Sequence, residues 1–151
     1  MLELGKEKLL RRGLQHTISL QWAEAERLPF ENGGFDAAIV AFGARNFGDL
    51  ERGLSEMHRV IRPGGMILVL EFSRPTVFPL KQLYLAYFRN IIPMIGKTLS
   101  GSGHAYRYLP DTVMRFPEGE AFCSILREIG FIEVSEKRLT GGIVSVYTGT
   151  R

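Results

Sequence analysis

Arg45 and Asn46 directly follow an apolar run at 35–42 (FDAAIVAF). A guanidinium beside a carboxamide can hold an oxyanion or polarise a water and orient either one. In α/β proteins ligands gather beyond the carboxyl ends of the strands, so this pair is the first candidate site. Loop capping is the plainer use of the same two residues. Further along, His104 and Tyr106 could accept or relay a proton, and an imidazole has the better unperturbed pKa for that task. A surface loop is the commoner setting for such a histidine. Glu71 and Ser73 close a second apolar run, where they serve either hydrogen bonding within the fold or contact with a substrate. Of the three histidines, His16, His58 and His104, none stands at metal-ligand spacing. The one cysteine, Cys123, falls on the apolar side of a helical stretch and reads as core. The chemistry on offer is therefore proton transfer and hydrogen bonding without a metal.

Elements of alternating type must position these groups. Residues 3–12 are rich in helix formers and stop near Gly13. Residues 17–25 (TISLQWAEA) alternate, with Ile18, Leu20 and Trp22 on one face, which predicts a strand. A Pro-, Asn- and Gly-bearing loop at 28–34 leads to the run at 35–42, whose apolar character predicts a central parallel strand covered on both faces. Leu50, Leu54, Met57 and Ile61 recur at helical spacing, and Arg62-Pro63-Gly64-Gly65 ends that helix before a buried strand at 66–72. Phe122, Ile125, Leu126 and Ile129 mark another helix, stopped by Gly130. Period-two patterning at 131–137 and 143–149, separated by Gly141-Gly142, predicts a terminal antiparallel hairpin. The sum is one α/β domain over 1–151. Residues 74–116 are too long for an ordinary crossover and hold four of the five tyrosines. They predict a substrate-side insertion, or else a helical pair that covers the sheet.

With 151 residues the chain can bury a sizeable core, and 45% hydrophobic against 23% charged residues argues against disorder. The net charge of +3 is spread along the chain, which gives nucleic-acid binding little support. A lone cysteine points to a reducing compartment. There is no apolar run long enough for a membrane span, and the opening residues are too charged for a secretory signal. A soluble cytoplasmic protein is the expectation.

The stretch 59–73 (RVIRPGGMILVLEFS) resembles a signature of the ubiquinone/menaquinone biosynthesis C-methyltransferases. Proline and two glycines before a strand are common to many methyltransferases, but the trailing Glu71-Phe72-Ser73 is narrower. Similar flanking segments lie at 25–30 (AERLPF), 42–46 (FGARN), 106–110 (YRYLP) and 142–145 (GIVS), so the similarity spans essentially the whole chain. The resemblance implies a Rossmann-like doubly wound methyltransferase fold that uses S-adenosylmethionine. It implies methylation of a demethylmenaquinol, or a related polyprenyl benzoquinol, at a ring carbon, with no metal. Glu24 and Ala25 occupy the position that contacts adenine, although Glu24 stands where the family would have Asp or Asn. Ala41 matches a position whose backbone lies beside the cofactor. Arg45 and Asn46, with His104 and Tyr106, are then the candidates for handling the quinol hydroxyl and its proton. Tyr84, Tyr87, Phe88 and Tyr106 are expected to line a route for the isoprenoid tail. Lys81 and Arg89 are placed to rest peripherally on the inner face of a membrane.

The resemblance covers the family's C-terminal two-thirds. A glycine-rich turn for the methionine end of the cofactor and a strand ending in an acid for its ribose have no counterpart here, so an N-terminally truncated domain is expected. A non-catalytic remnant without a working cofactor site is the competing reading. A nicotinamide-dependent dehydrogenase is disfavoured because the dinucleotide fingerprint is missing as well. Without the two strands that the family's sheet order puts between them, 17–25 loses its ladder partner and 35–42 becomes an apolar edge. A rearranged sheet, the family's N-terminal segment or a second copy of the chain would cover that edge.

Overall fold

The computed structural model describes residues 2–86 and 112–151. His104 and Tyr106, together with Tyr87, Phe88 and Arg89, lie outside the described residues. Four strands form a mixed sheet: β1 (Phe35–Ala41), β2 (Ile61–Phe72), β3 (Ile132–Leu139) and β4 (Val144–Thr150), in the order β1-β2-β4-β3. β1 runs parallel to β2, with Ala37 opposite Met66 and Ala41 opposite Leu70. β4 is antiparallel to both β2 and β3, so it alone runs against the other three strands.

Local chemistry explains the helices. α1 spans Leu2–Arg11, and the chain turns through Gly13 at a φ of +67°, a region where glycine bears no Cβ penalty. α2 (Leu50–Val60) starts at Asp49, whose carboxylate accepts from the Arg52 N–H at 3.0 Å. Ile61, the last residue of the periodic set, is already extended and begins β2. α3 is a short helix at Leu80–Ala86. α4 (Glu120–Ile129) ends on Gly130 in the left-handed region, φ +115°. Between α2 and the regular ladder of β2, Gly64 also takes a positive φ. A Cβ on Gly65 would stand 2.5 Å from the Asp36 carbonyl oxygen, so only glycine lets β1 approach there.

α2 and α4 pack on one face of the sheet. Leu54, Ile61, Ile67, Val69, Phe122, Leu126, Phe131 and Tyr147 form the buried core between them. Tyr147 is fully buried and its hydroxyl accepts from the Gly119 N–H at 2.9 Å, tying β4 to the start of α4. Along β1 only Ala38 and Val40 turn toward this core; the alternate residues are exposed, Ile39 at 71%. The two-sided burial expected of 35–42 is therefore not observed. β1 has a single neighbour, β2, and stands at an edge of the described sheet.

Residues 17–25 do not form a strand. Their one pairing is an isolated bridge between Glu24 and Arg27, and Trp22 is 71% exposed. Alternation prepares a face, but a strand exists only through a ladder, and no described strand lies alongside to supply one.

Candidate functional site

The carboxyl ends of β1 and β2 bring Arg45 onto Glu71. β1 ends at Ala41, and Phe42 takes a φ of +53°, an unusual conformation for a bulky side chain. That bend feeds a 3-10 turn at Ala44–Asn46. The Arg45 Nη1 donates to Glu71 Oε2 at 2.8 Å and lies 3.1 Å from Oε1, and it also donates to the Phe42 carbonyl at 2.6 Å. The Arg45 main-chain N–H donates to Glu71 Oε1 at 3.3 Å. The pair is withdrawn from water, with side-chain exposures of 11% for Arg45 and 1% for Glu71. Phe72 underlies the guanidinium at 5.3 Å from its ring centroid and packs against Phe42. Arg45 Nε is buried without a hydrogen-bond partner, and none of the described residues accepts from Nη2. Sequence reasoning singled out Arg45 but left Glu71 between two roles. The signal was there: a carboxylate inside a strand as apolar as MILVLEF needs a buried cation.

The other described candidates are mostly exposed to solvent. Ala41 is exposed at the end of β1, Asn46 is exposed in the 3-10 turn, Glu24 is exposed, and Ala25 is half-buried. Glu26 links these segments: its Oε1 accepts from the Gly48 N–H at 2.6 Å and the Asp49 N–H at 3.0 Å. These main-chain donors hold the Glu26 carboxyl below the usual carboxylate range. Glu56 and Arg59 on α2 fasten the following loop, Glu56 accepting from the Leu28 N–H and Arg59 donating to the carbonyls of Leu28 and Phe30. The 24–32 loop is thus secured to α2 at several points. An open groove of about 580 Å³ runs beside it, lined by Gln21 to Glu24 and by Arg27 to Pro29.

On the other side, Ser73 is buried and donates to the Gly142 carbonyl at 2.9 Å, which assigns it to the hairpin. Tyr84 is buried against Val113, Phe72 and Ile143, and burial pushes its phenol up to about 12. It borders a cavity of about 400 Å³ with Arg74, Thr76, Lys81 and Met114. Arg74 is held there by Glu118 at 2.7 Å. Among the described residues there is no cluster of His, Cys, Asp or Glu able to hold a metal ion, and no helix is long and apolar enough to cross a membrane.

Comparison with known proteins agrees with this architecture. A demethylmenaquinone methyltransferase of Bacteroides fragilis is 44% identical over all 151 residues, which cover 62% of its length. A ubiquinone/menaquinone biosynthesis C-methyltransferase UbiE of a Geobacter species is 45% identical, again over the whole chain and 64% of the relative. The chain thus spans somewhat under two-thirds of these relatives. Among solved structures, an S-adenosylmethionine-dependent methyltransferase of Thermotoga maritima superposes with a TM-score of 0.59 at 20% identity, covering 95% of this chain and 69% of that one. A putative S-adenosyl-L-methionine-dependent methyltransferase of Methanococcus maripaludis gives 0.61 at 13% identity, over 99% of this chain and 61% of that one. Those likenesses establish the Rossmann-like methyltransferase fold. With residues 1–151 matched throughout, the chain belongs to the ubiE/COQ5 methyltransferase family.

Proposed function

We propose that this chain serves in transfer of a methyl group from S-adenosylmethionine to a ring carbon of a demethylmenaquinol, or a related polyprenyl benzoquinol. The observation that carries the reading is the whole-chain match to the quinone-methylating family, which favours it over a non-catalytic remnant. When bound, the cofactor supplies an electrophilic methyl on a sulfonium. The residues present fit one end of it. Glu24 lines an open groove of about 580 Å³, Glu26 ties its loop to the main chain of Gly48 and Asp49, and Ala25 and the exposed end of β1 at Ala41 complete the set assigned to the adenine end. Among the described residues there is neither a glycine-rich turn nor an acidic strand end for its remaining parts.

Carbon methylation of a quinol requires that a ring hydroxyl lose its proton, so that the neighbouring carbon gains electron density, and that the ring proton leave after the new carbon–carbon bond forms. Arg45 Nη2 is the donor offered to the hydroxyl oxygen, and Asn46 next to it orients the oxygen or a water. His104 and Tyr106 are the candidates for accepting the proton. Val77, Phe78 and Leu83 are exposed beside Lys81, the composition of a surface that rests on lipid, where a polyprenyl substrate resides.

The test is restoration of quinone methylation. The open reading frame carrying these residues is expressed in a bacterium deleted for its own quinone C-methyltransferase, and the extracted quinones are weighed by mass spectrometry. Methylated menaquinone is the expected product. Accumulation of demethylmenaquinone despite abundant protein refutes the proposal.

A further inference from the structure

Arg45 meets Glu71 through one corner only. Nη1 spends its donors on the carboxylate and on the Phe42 carbonyl, while none of the described residues accepts from Nη2. The carboxylate does more than balance charge, since it also accepts from the main-chain N–H groups of Arg45 and Phe72. It therefore fixes the guanidinium relative to the backbone at the ends of both β1 and β2. Breaking such a pair by removing one partner leaves an uncompensated charge away from water. We propose that Glu71 is a positioning residue, pinning the Nη1 corner of Arg45 so that Nη2 meets an aryl oxyanion, and cancelling the guanidinium charge so that the oxyanion is oriented but not over-stabilised. The inference rests on the quinol-methylating reading above and adds the role of the carboxylate.

The cancellation has a chemical use. An aryl oxyanion in a tight pair with an unopposed cation keeps its electron density on oxygen, which weakens the adjacent carbon as a nucleophile. A guanidinium already neutralised by Glu71 supplies direction through a hydrogen bond while leaving more density for the ring. Interactions that favour the ground-state oxyanion as strongly as the transition state add nothing to the rate. An arginine without its carboxylate would bind the oxyanion more tightly and methylate more slowly.

The probe is 1-naphthol, whose ionisation is visible by absorbance, titrated with pH in the presence of saturating protein. With Glu71→Gln, bound naphthol is expected to ionise about one pH unit or more below its value on the unaltered protein, because a full positive charge then faces the oxygen. Arg45→Gln leaves the carboxylate alone and should raise the ionisation instead. The double neutral variant Arg45→Gln with Glu71→Gln should lose both shifts, and circular dichroism checks that each variant is folded. If Glu71→Gln does not fold, the sign of the Arg45→Gln shift decides. An unchanged ionisation in the folded single variants, a shift that survives in the double variant, or no naphthol binding by the unaltered protein overturns the proposal. Absence of quinone methylation together with the expected naphthol shifts would reject the quinol-methylating reading and leave the Arg45–Glu71 relationship standing.

Discussion

The Glu26 carboxylate sits on the main chain of Asp49, accepting its N–H at 3.0 Å and that of Gly48 at 2.6 Å. One side chain thus joins the loop that carries Glu24 and Ala25 to the residue that caps α2. Because these donors lower the folded-state pKa of Glu26, the contact is complete above the usual carboxylate range and is lost as pH falls through the depressed value. Glu26→Gln should loosen the loop at neutral pH as acid does to the parent. Amide hydrogen exchange at Gly48 and Asp49 would read this out, and equal protection in both proteins at pH 7 would refute it.

Tyr84 should titrate late. Its phenol is pushed up to about 12 by burial, above the roughly 10 of an exposed tyrosine. The stability it lends is fully present below pH 10 and disappears as pH rises through the folded value. Burial raises the Tyr147 phenol as well, so an ultraviolet titration should show late tyrosine ionisation whose amplitude Tyr84→Phe reduces by one phenol. An undiminished late amplitude in the variant would show that Tyr84 titrates with the ordinary tyrosines.

Tyr147→Phe isolates one hydrogen bond in the core. The ring still packs on Phe122, but the buried Gly119 N–H loses its acceptor. The expected cost is about 1–3 kcal/mol, measurable as a lower midpoint in urea at unchanged slope. No change in midpoint would mean that Gly119 finds another partner.

The open edge at β1 should govern self-association. Phe35 and Ile39 are exposed on a strand that, among the described residues, pairs with β2 alone, a template for another chain. Ile39→Lys places a charge there without touching the core, so light scattering should show fewer higher-order species at equal concentration. Unchanged association would move the contact elsewhere on the surface.

The apolar surface beside Lys81 predicts attachment to lipid. Phe78→Ser with Leu83→Ser should reduce flotation with vesicles of phosphatidylglycerol and phosphatidylethanolamine at least several-fold, with little change in thermal stability because both side chains are exposed. Equal flotation of the variant and the parent would remove this surface from consideration.

Much of the fold was legible because periodicity reports burial. The spacing of Leu54 and Met57 marked α2, and Phe122 with Leu126 marked α4, since a helix that lies on a sheet buries one stripe. The hairpin was equally plain in the alternation of residues 143–149. Residues 17–25 were misread as a strand because their alternation describes a face and cannot report whether a neighbour is present. The apolar run at 35–42 concealed its edge position for the same reason. At the site, spacing picked out Arg45, while its fixation by Glu71 was hidden by the 26 positions that separate them. Side-chain to main-chain contacts such as Glu26 to Gly48 leave no periodic trace at all.

The strand order carries a consequence for synthesis. Phe72 pairs with Val144 and Met66 with Thr150, so the partners of β2 on its antiparallel side are made 72 to 84 residues after it. At translation rates of about 5–20 residues per second, β2 waits roughly 4–17 s on the ribosome with only β1 beside it. During that interval its other backbone edge stays open to chaperones or to other nascent chains. Rare codons between positions 73 and 143 would lengthen the exposure without altering a single residue of the product.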